Sequence, residues 1–354
     1  MRFLRRPLMA ASFVTVLFAA GPLWAQGTPA AAPAVKLGGV VYAQLEYWAS
    51  DSIGHTNQFD VTRAYLNAIG SFDHGVTTRI TADVFRPAAA PSLEYRLKYA
   101  YFQWQPSKTA PVDFRFGETQ TPWLDWEEGL YGFRMQGTMP MERAGYLTSS
   151  DLGVAMDFFN KDKAFNGSFA IMNGEGYGNL PGGKFLDYEA RASVRLLKTD
   201  DASQQGGLRL TGYGHVGRLD AFGGPARNRW IGELSYKSKV VTLVGEAGFA
   251  KTGVAPTTAA PNPATPNGRV LAAFGVVNLP NSAVQLLARV DRLDPNTAVD
   301  NDASTRFIGG VAYRISPNVR VLADLDAVSY QAATLSAANQ AQKTRLLFQS
   351  EFVF

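Results

Sequence analysis

The sequence contains no cysteine, which excludes a disulfide framework, a thiolate metal site and lipid attachment through sulfur. Histidine is almost as scarce. His55, His74 and His215 lie too far apart in the chain to read as a metal-binding cluster. Beyond the first residues, no run approaches the roughly 18 apolar residues of a membrane-spanning helix, and the mean hydropathy is −0.09. There is no phosphate-binding loop and no glycine fingerprint between a strand and a helix. Gly174-Glu175-Gly176-Tyr177-Gly178 has no helical pattern after it and reads as the turns of a flexible loop. No cofactor is expected.

The pI of 9.1 and net charge of +4 suggest a nucleic-acid partner until the first residues are set aside. Arg2, Arg5 and Arg6 precede an apolar run, Leu8–Ala20, and Leu23-Trp24-Ala25 ends in a small residue. This is the layout of a secretory signal peptide, residues 1–25, cut after Ala25. A membrane anchor is the alternative, but the apolar run is short and an Ala/Pro-rich linker, residues 26–34, follows it. Removing the three arginines leaves 31 bases against 30 acids. The case for nucleic-acid binding disappears with them.

From Val35 onward the dominant pattern has period two. In Tyr188–Leu196 one face holds Tyr, Ala, Ala, Val and Leu, and the other holds Glu, Arg, Ser and Arg. A helix would scatter these residues, whereas a strand separates them cleanly. Sixteen such segments run from Val35–Trp48 to Lys343–Phe354. Their connections alternate between short turns, such as Asp73-His74-Gly75, and long loops, such as Thr119–Asp151. The expected fold is therefore all-β: a transmembrane antiparallel β-barrel of about 16 strands over residues 35–354, with short periplasmic turns and long extracellular loops. So wide a barrel cannot be filled by its own side chains, so the apolar face meets lipid and lipopolysaccharide and the polar face lines water. Aromatics near segment ends, including Tyr47, Trp48, Tyr99, Tyr101, Trp104, Trp230 and Tyr236, are expected to form interfacial girdles.

Strand parity places an excess of bases on the water-lined face: Arg79, Arg96, Lys98, Arg115, Arg191, Arg195, Arg209, Arg289, Arg306, Arg314, Arg320 and Arg345. Arg63, Arg229 and Arg269 share that parity. Rows of fixed positive charge favour small anions. The same charges could instead pair across strands and hold the wall, and the sequence supports both readings equally. The loop Thr119–Asp151 is too long for a connector. It carries Asp125, Glu127, Glu128, Arg134, Glu142 and Arg143. Folded inward, it would narrow the channel and set its acids across from the wall arginines. The alternative is an external loop touching a neighbouring subunit or lipopolysaccharide.

Arg63-Ala64-Tyr65-Leu66, Arg115-Phe116-Gly117-Glu118-Thr119-Gln120-Thr121-Pro122, Met141-Glu142-Arg143 and Asp151-Leu152-Gly153-Val154 together resemble the phosphate-selective porin O and P family. The resemblance implies a sixteen-stranded, homotrimeric channel in the outer membrane of a Gram-negative bacterium, passing small hydrophilic or anionic solutes. Phosphate-selective members add lysine clusters to the arginine ladder. The long loops here lack such a cluster, which makes a broader passive porin the expectation. Phe354, closing an alternating strand with Phe352, Phe348 and Leu346, resembles the assembly signal of outer-membrane barrels. Two other classes compete: a barrel hydrolase, which needs a nucleophile beside a base such as His215, and a non-conducting adhesin or scaffold.

Overall fold

A computed structural model describes residues 34–87, 92–179, 182–218, 226–253 and 266–354. The expected signal peptide, the expected linker up to residue 33 and most of the Pro/Thr/Ala-rich segment after Gly253 lie outside the described residues.

Sixteen strands alternate polar and apolar residues as the pleat requires. They are β1 (Ala34–Trp48), β2 (Asn57–Ser71), β3 (Val76–Phe85), β4 (Glu94–Trp104), β5 (Val112–Gln120), β6 (Ser150–Phe159), β7 (Phe165–Met172) and β8 (Asp187–Leu197). The second half holds β9 (Gly207–Arg218), β10 (Ala226–Lys237), β11 (Val241–Thr252), β12 (Asn267–Asn278), β13 (Val284–Asp294), β14 (Ser304–Ser316), β15 (Val319–Tyr330) and β16 (Thr344–Val353). Each strand pairs antiparallel with its sequence neighbours, and β1 closes on β16 through the register Val40↔Val353 to Trp48↔Arg345. Closure leaves no free edge, which is the condition for a sheet to cross lipid.

The two faces separate as the alternation predicts. On β8, Asp187, Glu189, Arg191 and Ser193 are buried inside, while Tyr188, Ala190, Ala192 and Val194 face out. The outer face is a continuous apolar band that includes Leu37, Phe59, Phe116, Leu210 and Phe348.

Three departures from simple alternation shape the interior. First, the β3–β4 register shifts between Thr81 and Ala82, so that Thr81 pairs with Tyr99 and Ala82 with Leu97. Lys98 is the extra residue of this bulge, and Lys98 and Tyr99 are both buried inside. Tyr99 and Tyr101 are thus lumen residues rather than girdle residues, because the bulge turns them inward. Second, β12 buries Val270, Ala272, Phe274 and Val276 inside and turns Arg269 outward, where it pairs with Asp294 at 3.1 Å. The parity that put Arg269 in the lumen fails because both faces of β12 are apolar. Third, the connection between β8 and β9, residues 198–206, is long for the short-turn rim and reaches into the barrel.

The loop between β5 and β6 lies inside the barrel. It contains α1 (Leu124–Tyr131), a 3-10 turn (Arg134–Gln136) and α2 (Pro140–Arg143). Pro140 sits at the start of α2, where its missing N–H is no loss. Gly132 ends α1 in the left-handed conformation, φ +68°, that a side chain would resist. Trp123, Leu124, Tyr131, Phe133, Met139 and Met141 are almost fully buried against Val244, Val270, Phe274, Val276, Leu287, Ile308 and Leu322 of the wall. Burying each large side chain contributes about 1.5–3 kcal/mol.

Candidate functional site

The inward-folded loop covers the inner face of β9–β16 and leaves the face of β1–β8 open. Two cavities remain along the open face. One, of about 390 Å³, is lined by Tyr42, Tyr65, Arg79, Lys98 and Tyr99 of the wall and by Asp125, Glu128 and Arg134 of the loop. The other, of about 340 Å³, is lined by Tyr101, Asp113, Arg115, Asp157 and Arg191 and by Asp125 and Trp126. Both include Gln120 and Asp125. They form a crescent around the N-terminal edge of α1. Asp125 keeps its side chain exposed to this space although the wall surrounds it.

Six side chains hold the loop by its backbone carbonyls. Arg191 Nε donates to Pro122 O at 3.1 Å, Gln205 Nε2 to Trp126 O at 2.6 Å and Lys237 Nζ to Gly129 O at 3.0 Å. Arg320 Nη2 donates to Gly132 O at 2.6 Å, Gln349 Nε2 to Met135 O at 2.9 Å and Arg229 Nε to Tyr146 O at 2.9 Å. The guanidinium of Arg191 also lies over the Trp126 ring at 4.4 Å, and that of Arg320 over Phe133 at 4.2 Å. Trp126 Nε1 donates to Glu233 at 3.1 Å.

The wall bases of the sequence reading therefore divide into groups. Arg79, Lys98, Arg115 and Arg191 line the open crescent. Arg289 and Arg320 lie under the loop: Arg289 pairs with Asp291 at 2.7 Å beneath Tyr131, and Arg320 pairs with Glu351 at 2.9 Å. Arg96 is tied to Asp83 at 2.8 Å and to the Tyr177 hydroxyl. Arg306 and Arg345 converge on Asp326. Arg195 pairs with Asp162, and Arg209 binds the Gly206 and Lys163 carbonyls near the short-turn rim. Arg314 is exposed near the Ser316-Pro317-Asn318 turn. Phe354 stacks on Phe352 at 5.6 Å, and its backbone pairs with Gly39.

The loop charges divide as well. Asp125 and Glu128 face the crescent, with Glu128 held by Arg134 at 2.9 Å and Arg134 also reaching Glu142 at 3.3 Å. Arg143 pairs with Asp291 at 3.3 Å on the covered side. Glu127 is fully buried behind α1, near Glu246 and Glu233, and takes the indole N–H of Trp123 at 2.9 Å. Burial first, and then the Glu246 carboxyl, push the Glu127 carboxyl well above its ordinary range. Burial also raises Asp125 and Glu128, opposed by Arg115 and Arg134 respectively. Parity had named Arg191, Arg229 and Arg320 as inward bases, but it missed Lys237, Gln205, which lies in a turn, and Gln349, which carries no charge. The tyrosines of the open face were also missed. The bulge at Lys98 places Tyr99 and Tyr101 inward, whereas Tyr42 and Tyr65 follow the plain alternation of β1 and β2.

His215 faces inward, with Nε2 at 2.6 Å from Asp187, which also takes Arg227 at 2.6 Å.

No family model matches the chain, and no curated protein matches it. Solved structures do. The anion-selective porin from Comamonas acidovorans superposes with a TM-score of 0.65 at 12% identity, over 91% of this chain and 100% of that one. OmpF of Salmonella typhi, solved with daunomycin, gives 0.64 at 10% identity, over 90% of this chain and 97% of that one. OmpT of Vibrio cholerae in its trimer form gives 0.60 at 13% identity, over 92% and 100%. With its closed ring of sixteen antiparallel strands, the chain has the fold of the outer-membrane porins.

Proposed function

We propose that this protein is an outer-membrane porin, a water-filled channel for passive diffusion of small hydrophilic solutes, with a modest preference for anions. The observation that carries the reading is the pair of cavities inside a closed barrel, left between the wall and a loop folded inside. Its sides differ in charge. Arg79, Lys98 and Arg115 stand on the wall, and Asp125 and Glu128 stand on the loop. Such an arrangement produces a transverse field that orients dipolar solutes. Among the described residues Arg79 and Lys98 have no carboxylate within 4 Å, whereas Glu128 is paired with Arg134, which tilts the balance toward anions. Asp113 and Asp157 in the second cavity oppose that tilt. The resemblance to phosphate-selective porins supports the anion preference, and the absence of a lysine cluster argues for breadth.

In this reading residues 1–25 direct export and are removed, the short turns face the periplasm and Phe354 marks the strand that the assembly machinery recognises. A homotrimer is proposed on the analogy of the trimeric Vibrio cholerae OmpT structure. Lipid and lipopolysaccharide contact the apolar outer band.

The test is the reversal potential of the purified protein across a planar bilayer in a KCl gradient. A potential of the sign given by excess chloride flux is expected. A zero or cation-selective potential overturns the anion preference, and absence of conductance overturns the porin reading.

A further inference from the structure

We propose that the cavity walled by Lys98, Tyr42, Tyr65 and Tyr99 is a binding subsite for monoanions that carry an aromatic ring, such as aromatic carboxylates. The proposal rests on the porin reading and names the class of solute held at this point in the channel.

The argument begins with Lys98. It is 3% exposed, yet its one hydrogen bond among the described residues is to the Tyr65 hydroxyl, at 3.3 Å. Three rings surround the ammonium: Tyr65 at 4.6 Å, Tyr99 at 5.4 Å and Tyr177 at 5.8 Å. No carboxylate of the described residues lies within 4 Å of it. Desolvating a charge without a partner is costly, and such lysines are rarely left so without a role. By contrast, the neighbouring bases Arg63 and Arg96 are both held by Asp83. Arg79, the other base lining this cavity from the wall, binds Thr81 and Asn67 and lies over Tyr99 at 4.5 Å. Two positive groups thus border one cavity, and the wall acid that also lines it, Glu351, is held by Arg320 at 2.9 Å.

The rings decide the class of anion. Aromatic faces are electronegative, so they attract Lys98 and Arg79 but repel a bare anion placed over them. The edges of a bound ring, in contrast, are electropositive and fit against those faces. The wall already uses this geometry: Tyr42 and Tyr65 meet edge to face at 6.2 Å and 88°, and Tyr99 and Tyr101 at 6.3 Å and 79°. A ring entering beside them extends the same pattern, with its carboxylate directed to Lys98 and Arg79. Asp125 borders the far side and repels a second negative charge. A compact dianion such as phosphate meets both repulsions. The volume of about 390 Å³ admits one ring with its carboxylate and some water.

The experiment measures block of KCl current through the full-length protein in a planar bilayer on addition of sodium benzoate, acetate or inorganic phosphate. Benzoate is expected to reduce the conductance in a saturable way, at concentrations where acetate and phosphate have little effect. Lys98→Met and, independently, Tyr99→Leu are each expected to raise the half-blocking concentration at least tenfold. Both variants are first shown to be folded by their heat-modifiable gel mobility, and the second serves if the first does not fold. Equal block by acetate means that the ring contributes nothing, stronger block by phosphate means a compact-anion site, and an unchanged half-blocking concentration in a folded variant places block elsewhere. Each of these overturns the proposal. A conducting channel that benzoate does not block also overturns it while leaving the porin reading intact, whereas a protein that never conducts fails at the earlier reading.

Discussion

The inner wall of this barrel has two halves that obey the same alternation and use it differently. Along β1–β8 most inward residues are polar or tyrosine, among them Arg63, Asn67, Arg79, Thr81, Asp83, Lys98, Arg115, Asn166 and Ser168, with Ala155, Ala170 and Met172 as a small apolar exception. Along β11–β15 many inward residues are apolar: Val244, Val270, Phe274, Val276, Leu287, Ile308, Ala312 and Leu322. The first half faces water and the second faces the loop. The apolar patch in the inner wall therefore records where the apolar side of the loop rests.

The largest expected effect comes from removing the cover. Deleting Gly129–Gly137 should expose the apolar half and raise single-channel conductance several-fold, and an unchanged conductance would mean that the loop does not limit flow. Next comes the seat of the loop. Trp123 is fully buried and lies against Tyr213 with ring centroids 5.6 Å apart. Trp123→Ala should cost about 3–5 kcal/mol, seen as a lower unfolding temperature and noisier open-channel current. A smaller effect separates the two kinds of arginine. Arg229→Met leaves the Tyr146 carbonyl without its donor and should destabilise by about 1–3 kcal/mol with little change in reversal potential. Arg79→Gln should do the reverse, shifting the potential toward cations with little loss of stability. If both variants shift the potential equally, the division of the wall is wrong.

The pH response is the finest test. Glu127 has its carboxyl raised above the ordinary 4.5 by burial, with Glu246 and Glu233 near it and Arg289 opposing. The folded state thus holds the proton more tightly than the unfolded chain. Its contribution is complete below about pH 4.5 and declines as pH rises toward the folded value. Glu127→Gln should flatten that decline. Parallel curves of unfolding temperature against pH for the two proteins would show that Glu127 is already ionised.

Much of the fold was legible because a closed barrel with an apolar outside and a largely polar inside enforces alternation. All sixteen strands fall where period two placed them, with ends differing by a few residues where Gln120 or Thr252 continue a ladder into a loop. The loop's length and charge pointed to Asp125 and Glu128, which do border the crescent. What stayed hidden depends on the third dimension. Arg191 and Arg79 look alike in sequence, yet one grips a carbonyl and the other stands free of carboxylates. The bulge at Lys98 adds one residue that no periodicity announces. On β12 apolar residues fill both faces, so no parity signal existed to place Arg269.

The grip on the loop has an evolutionary consequence. Six donors from the strands and one turn hold carbonyl oxygens, and every amino acid carries a carbonyl oxygen. The clamp does not read the identity of the residue it holds. Side chains such as Asp125 and Glu128 can drift or be exchanged while the loop keeps its height and course. On the proposed porin function, a lineage carrying this barrel can thus acquire new solute preferences by single substitutions, without a matching change in the wall.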